Sequence, residues 1–325
     1  MEVLKKMRVG LLLAAAAVLI FSSCKTPVTS PHEGTVTFRV ENLPVLPQDL
    51  IYEAWIIYPN GIESAGKFRV DANGNYSGSA TALNLGTMVG FEVSIEPAND
   101  NDENISGAVV LAGVFESDSS ENLEMTPWNS YAFGRLGFEE NQPVNGKYFL
   151  HVYTDYKIPF QALSDSVDTV IAPFYKGLWL GEVTYPNQED SVRKSFNLPN
   201  LENYWDYAAW IKDKNSGAIY LLGRFTDFGN ADNDGPGPYP GRFVNNAPEL
   251  PGGEFVTDSL EINLNSGNYI LAITLQPTFV KDSILPVNGL PCIKSLIPNF
   301  ADDLKNIDFI DTLALNWHGT VNRKY

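Results

Sequence analysis

The residue types best suited to chemistry fall in a few short stretches. Asn230-Ala231-Asp232-Asn233-Asp234-Gly235 sets oxygen-bearing side chains at alternate positions before a glycine. A calcium loop begins this way, because a hard cation needs several carboxylate and carbonyl oxygens around a tight turn. Position twelve, counted from Asn230, is Gly241 rather than a bidentate carboxylate, so Asp227, Glu249 or Glu254 would have to fold in. A solvated acidic turn, helped by Pro236, Pro238 and Pro240, is the simpler expectation, and no metal ligand is assigned. The second acidic loop, Asn99-Asp100-Asn101-Asp102-Glu103-Asn104, has the same two readings, and a hydrophilic hairpin tip is again preferred. Trp55 and Trp210 lie inside apolar strands and read as core. Trp128, Trp179, Trp205 and Trp317 lie nearer turns or strand ends. Trp205, between Tyr204 and Asp206, is the better exposed platform for a sugar ring. The three histidines are His32, His151 and His318. His151 sits in an apolar strand and reads as a core or edge residue rather than a base. No Gly-x-Ser-x-Gly elbow, His-Glu-x-x-His pair or phosphate-binding glycine loop is present. Carboxylates are abundant enough for a paired-carboxylate glycosidase, but nothing singles out a pair. No catalytic residue and no cofactor is therefore expected.

Composition narrows the partners. The 325 residues suffice for about two domains, and 44% hydrophobic with 12% aromatic residues supply a packed core. Lys plus Arg is 22 against 39 Asp plus Glu, a net charge of −17. A nucleic-acid partner needs clustered positive charge and is not expected. The two cysteines, Cys24 and Cys292, cannot build a disulfide framework or a Cys/His zinc site.

The N-terminus reads as an export signal. Lys5, Lys6 and Arg8 precede an apolar run from Val9 to Phe21, too short to span a bilayer, and Phe21-Ser22-Ser23-Cys24 follows. Small residues before a cysteine resemble a bacterial lipobox, with Phe21 where Leu is commonest. Residues 1–23 are thus expected to be a lipoprotein signal peptide, Cys24 the lipidated first residue, and 24–33 a Pro-containing tether. Cys292 is left as a buried free thiol. Cleavage removes three basic residues and one glutamate, so the mature chain is still more acidic and should meet the membrane only through its anchor. Lys25 after the cysteine, rather than Asp, favours the outer membrane.

The elements that must position any site are strands. Thr35 to Val40, Tyr52 to Tyr58, Phe91 to Ile95 and Tyr148 to Tyr153 alternate or are rich in β-branched and aromatic residues. Leu178 to Tyr185, Ala208 to Lys212, Ile219 to Phe225, Ser259 to Leu264 and Tyr269 to Leu275 read alike. Asn-Gly pairs at 60–61, 73–74, 145–146 and 288–289 mark turns. A duplication runs through this pattern. Asn42-Leu43-Pro44 recurs as Asn197-Leu198-Pro199, and in the same register Tyr52, Ala54, Trp55 and Ile56 meet Tyr207, Ala209, Trp210 and Ile211. Gly66-Lys67-Phe68 meets Gly223-Arg224-Phe225, and Glu96-Pro97 meets Gln276-Pro277. The expected fold is all-β, two tandem immunoglobulin-like or related β-sandwiches at 34–160 and 174–325.

Residues 52–113 carry a family pattern: Tyr52-Glu53-Ala54-Trp55-Ile56-Ile57, Asn60-Gly61, Ser64-Ala65-Gly66-Lys67-Phe68 and Asp71-Ala72-Asn73-Gly74. Val93-Ser94-Ile95-Glu96-Pro97 and Gly107-Ala108-Val109-Val110-Leu111-Ala112-Gly113 follow. This series resembles the extracytoplasmic C-terminal domain of anti-sigma-K factors, and a weaker copy spans about 207–298, keeping Trp210, Gly223, Phe225 and Pro277. The resemblance implies a small β-sandwich outside the inner membrane. The family's sigma-binding region and transmembrane helix have no counterpart here, because the export signal and lipobox occupy that end. Anti-sigma activity is therefore not carried over, and the family domain lends no catalytic motif. The expectation is a non-enzymatic envelope lipoprotein, a binding or sensory module for a protein or glycan. The alternative is a carbohydrate-active hydrolase or glycan-binding lipoprotein.

Overall fold

The computed structural model describes residues 33–117, 120–127, 142–153, 173–185, 191–201, 204–233, 248–255, 262–280, 292–299, 301–313 and 315–324. Residues 1–32, with the export signal, Cys24 and nearly all of the tether, lie outside these, as does Trp128. The chain is all-β, an antiparallel sandwich architecture whose only described helices are three single 3-10 turns. Strands β1 Gly34–Glu41, β2 Leu50–Tyr58, β3 Gly61–Phe68, β4 Tyr76–Ala82, β5 Gly90–Pro97, β6 Val109–Val114 and β7 Asn122–Met125 come first. Then follow β8 Gln142–Tyr148, β9 Gly177–Trp179, β10 Glu182–Val183, β11 Val192–Arg193, β12 Trp205–Asp213 and β13 Ile219–Phe225. The last are β14 Gly252–Glu254, β15 Tyr269–Pro277, β16 Cys292–Leu296, β17 Ile307–Leu313 and β18 His318–Lys324.

Alternation decides which face each strand buries. Val36, Phe38 and Val40 of β1, Tyr52, Ala54 and Ile56 of β2, and Phe91, Val93 and Ile95 of β5 all turn into one core. The sheet β3-β2-β5-β6 thereby packs on the sheet β4-β1-β18-β7, with the Phe38 ring 5.1 Å from Phe91 and 5.7 Å from Phe68. In the second sandwich the sheet β13-β12-β15-β16 packs on the pair β17-β8, where Phe196 contacts Phe228 at 4.6 Å and Phe309 at 5.3 Å. Short pairs β14-β9 and β10-β11 flank it.

Strand pairing does not follow the expected division into 34–160 and 174–325. β18, from the C-terminal end, lies between β1 and β7, with Phe38 opposite Val321 and Val321 opposite Leu123. β8, expected in the first repeat, pairs along its whole length with β17. The strands of the second sandwich thus run from 142 to 313 and are inserted between β7 and β18. Alternation identifies a strand but not its hydrogen-bonding partner, which can come from anywhere in the chain.

The duplication itself is written in the registers. Leu50 is opposite Pro97 in β2-β5, and Trp205 is opposite Pro277 in β12-β15. Both β2-β3 and β12-β13 carry a bulge just before the tryptophan, opposite Gly66 and Gly223 respectively. Those glycines have φ of +113° and +151°, values that a residue with a Cβ resists. Tyr52 and Tyr207 each donate their hydroxyl at 2.7 Å to the proline carbonyl of the repeated Asn-Leu-Pro. Trp55 Nε1 donates to Ser94 Oγ at 2.8 Å, and Trp210 Nε1 to Thr274 Oγ1 at 3.0 Å.

Candidate functional site

The outward side of the sheet β4-β1-β18-β7 is an open concavity of about 750 Å³. Successive outward side chains on one strand stand two residues apart, so the four strands project rungs of polar groups. One rung is Ser79, Thr37, Asn322 and Asn122; the next is Ser77, Arg39, Thr320 and Glu124. The apolar residues between them, Phe38, Leu123 and Val321, are buried beneath. Asn322 Nδ2 donates to Asn122 Oδ1 at 2.6 Å, and Arg39 pairs with Glu41 at 2.7 Å. Asn322 Oδ1 is buried with no hydrogen-bond partner among the described residues.

The second sandwich repeats the feature. β8 lies between residues 193–197 and β17, as β18 lies between β1 and β7. Asn197 donates its backbone N–H to Asn145 O at 3.1 Å, and Lys147 donates its own to Ser195 Oγ at 2.8 Å. The outward side here is a concavity of about 530 Å³ lined by Lys147, Glu182, Arg193, Lys194, Asp308 and Ile310, among others. Glu182 accepts from Arg193 Nε at 2.9 Å, from Arg193 Nη2 at 2.8 Å, and from Lys147 Nζ. These cations, Lys147 first, hold the Glu182 carboxyl below the usual carboxylate range.

A third feature lies on the outward side of the sheet β3-β2-β5-β6. Glu53, Glu92 and Glu96 are all under 5% exposed, although each is a carboxylate. Ser64 Oγ donates to Glu53 Oε1 at 2.5 Å, and Ser106 N to Glu96 Oε1 at 3.0 Å, where Ser94 Oγ also donates. Lys67 Nζ reaches Asp100 O at 2.6 Å and stands 3.6 Å from Glu53 Oε2. The registers place Ala208, Ala272 and Gln276 at the equivalent positions of the second copy. Only the cation is kept: Arg224 donates to Val280 O, the counterpart of Asp100 O, and pairs with Asp206 at 2.6 Å. The fold therefore does not need the three carboxylates. Among the described residues, no group of three or more His, Cys, Asp and Glu is placed to hold a metal ion.

Burial raises the Glu96 carboxyl above its usual range, against the lowering effect of the Ser94 and Ser106 donors, with Glu53 adding a small increase. The folded chain then keeps a proton that the unfolded chain releases, so stability falls as pH rises from the ordinary glutamate range through the raised value. Glu96→Gln copies Gln276, preserves the acceptor for Ser94 and Ser106, and removes that loss. Urea denaturation is expected to show Glu96→Gln more stable relative to the wild type near pH 7.5 than below about pH 4, where the wild-type carboxyl is protonated in both states. An equal effect at both pH values would show that the carboxyl is not protonated by folding.

No protein-family model, curated protein or solved structure matches this chain.

The residues singled out by sequence take mostly structural roles. In the loop expected to resemble a calcium site, Asn230 Nδ2 donates to Asp227 Oδ2 at 2.7 Å. Asp232 turns inward, accepts from Gly252 N at 2.9 Å and packs on Gly223. Asn233 exchanges hydrogen bonds with the Arg224 backbone, N to O at 2.8 Å and Oδ1 from N at 2.9 Å. Asp234, Gly235 and Gly241 lie outside the described residues. Glu254 is buried and accepts from Tyr153 N at 2.5 Å, while Glu249 is exposed. The loop from Asn99 to Asn104 is a run of turns in which Asp100 and Asp102 accept from backbone N–H groups two residues on. Trp205 corrects the expectation of an exposed platform: it is 0% exposed, because it faces inward opposite Pro277 at the start of β12. Trp179 and Trp317 are buried as well. His151 Nδ1 lies 2.8 Å from Asp303 Oδ1 and the ring stacks edge-on to Tyr153. The side chain of Cys292 lies outside the described residues.

Sequence reasoning missed both concave faces. Their residues are ordinary Ser, Thr, Asn and Lys, and only the pairing of strands distant in sequence assembles them. The buried carboxylates had a signal: Glu92, Ser94 and Glu96 alternate with Phe91, Val93 and Ile95, and mark a polar outer face.

Proposed function

We propose that this chain is a non-catalytic, lipid-anchored envelope protein whose sandwiches are binding modules, and that the first concave face takes a neutral polyhydroxylated ligand such as a glycan chain. The observation that carries this reading is the concave face itself. It offers hydroxyls and amides that donate and accept, matching a ligand made of hydroxyls. Arg39 is the one cation among the lining residues and is already paired with Glu41, so the face carries no excess of positive charge that would select an anionic ligand. Ser77, Ser79 and Thr320 make no side-chain hydrogen bond among the described residues, so their capacity is free for a ligand. The lipobox at Cys24, the tether at 24–33 and the anti-sigma-K-like pattern of 52–113 support an extracytoplasmic position, with the outer membrane favoured by Lys25.

Thr320 is exposed on β18 and Thr320→Trp would fill the concavity without entering the core. Calorimetry against a panel of neutral oligosaccharides should show binding by the wild type that Thr320→Trp abolishes at unchanged melting temperature. The N-terminal peptide of the membrane-extracted protein should carry an acylated Cys24. Turnover of any oligosaccharide, lost on replacing one carboxylate, would favour the hydrolase instead, and failure to bind the whole panel would overturn the reading.

A further inference from the structure

The geometry points to a second, charge-selective subsite: the concave face of the second sandwich binds a uronate-bearing glycan through Arg193, Lys147 and Lys194. This rests on the proposed reading of the first face, which the second resembles in having a central strand, β8 like β18, with an outward polar side. The dressing has changed. Three cations line the face, against two carboxylates, Glu182 and Asp308. One positive charge is therefore in excess on a chain with a net charge of −17. That excess favours an anionic ligand over a neutral one.

The site is already organised to hold a carboxylate. Arg193 directs Nε and Nη2 at one oxygen of Glu182 while Lys147 takes the other. Arg193 is 67% exposed at its side chain, so a ligand carboxylate can approach the outer edge of the same guanidinium. Lys194 has no ion-pair partner among the described residues and is exposed. Ile310, 72% exposed, stands on β17 opposite Asn145 in the floor of the face. An apolar side chain beside a hydrogen-bonding amide suits a sugar ring, which presents C–H groups on its faces and hydroxyls at its edge.

Glu182 competes with the ligand for the two cations. Glu182→Gln should therefore tighten binding of an oligogalacturonate by about fivefold, and Arg193→Gln should weaken it by about the same factor or more. Both effects should shrink as salt is added, because these charges are partly exposed. Calorimetry would titrate a galacturonate tetramer and its methyl-esterified, uncharged form into the full-length protein, its Glu182→Gln and Arg193→Gln variants, and Thr320→Trp. The inference predicts that the acid binds more tightly than the ester, responds to both substitutions in opposite directions, and is indifferent to Thr320→Trp. Equal affinities in wild type, Glu182→Gln and Arg193→Gln would overturn it, whatever the neutral panel shows. Loss of oligogalacturonate binding in Thr320→Trp would place the ligand on the first face instead. A glutamate-rich peptide bound as tightly as the tetramer would overturn the assignment to a glycan. Neutral oligosaccharides that fail to bind, while the charged tetramer follows the expected pattern, would sink only the reading of the first face.

Discussion

Arg323→Ala is expected to destabilise the protein by about 3–5 kcal/mol, and removal of residues 315–325 to leave the first sandwich unable to close. Arg323 is fully buried on β18. Its Nε donates to Ser120 O at 2.6 Å, Nη1 to Met88 O at 2.9 Å and Leu85 O at 3.3 Å, and Nη2 to Ser117 O at 2.9 Å. The guanidinium lies 4.1 Å from the centre of the Phe115 ring. It therefore ties the 3-10 turn after β4 to the turn after β6. Alanine leaves the buried Leu85 and Met88 carbonyls without their donor and removes the link to Ser117 and Ser120. β18 itself supplies the central pairing of its sheet, between β1 and β7. Denaturation of the point variant measures the first effect. For the second, a fragment of residues 33–127 should stay unfolded, as should 34–160, whereas 33–127 joined by a short flexible linker to 315–325 should fold. Cooperative unfolding of the 34–160 fragment alone would contradict the pairing of β18 with β1.

Trp205→Ala should cost about 3–5 kcal/mol, the usual range for emptying a buried aromatic site, and should leave ligand binding unchanged once the protein is folded. Trp205 belongs to the same core as Tyr207, Ala209 and Ile211, which share the inward side of β12. Its partner across the sheet, Pro277, is the counterpart of Pro97. The residue at the same register of the first copy is Leu50, also buried, so the position asks for apolar volume rather than for a stacking surface. Thermal denaturation together with oligosaccharide titration separates the two roles. A variant that melts like the wild type but loses sugar binding would restore the exposed platform.

Much of this was legible in the residues themselves. Alternation in β1, β5 and β15 reports which side chains face the core, because a strand turns successive side chains to opposite faces. The duplicated Asn-Leu-Pro, the paired tryptophans and the two bulge glycines report the repeat, because each meets a local demand of backbone or packing that both copies share. What only the tertiary structure decided was partnership. β18 and β1 are joined by hydrogen bonds between residues at opposite ends of the described chain, and nothing local to either strand selects the other. The concave faces inherit that property, since Thr37, Ser79, Asn122 and Asn322 become neighbours only when four strands far apart in sequence assemble. Exposure was decided in the same way. Trp205, Asp232 and Glu96 are polar or amphipathic residues near turns or on outward faces, and burial came from segments packed against them. A sequence states its local preferences directly, but the covering of a face is a property of the whole chain's packing, where burial, hydrogen-bond satisfaction and register must all be met together.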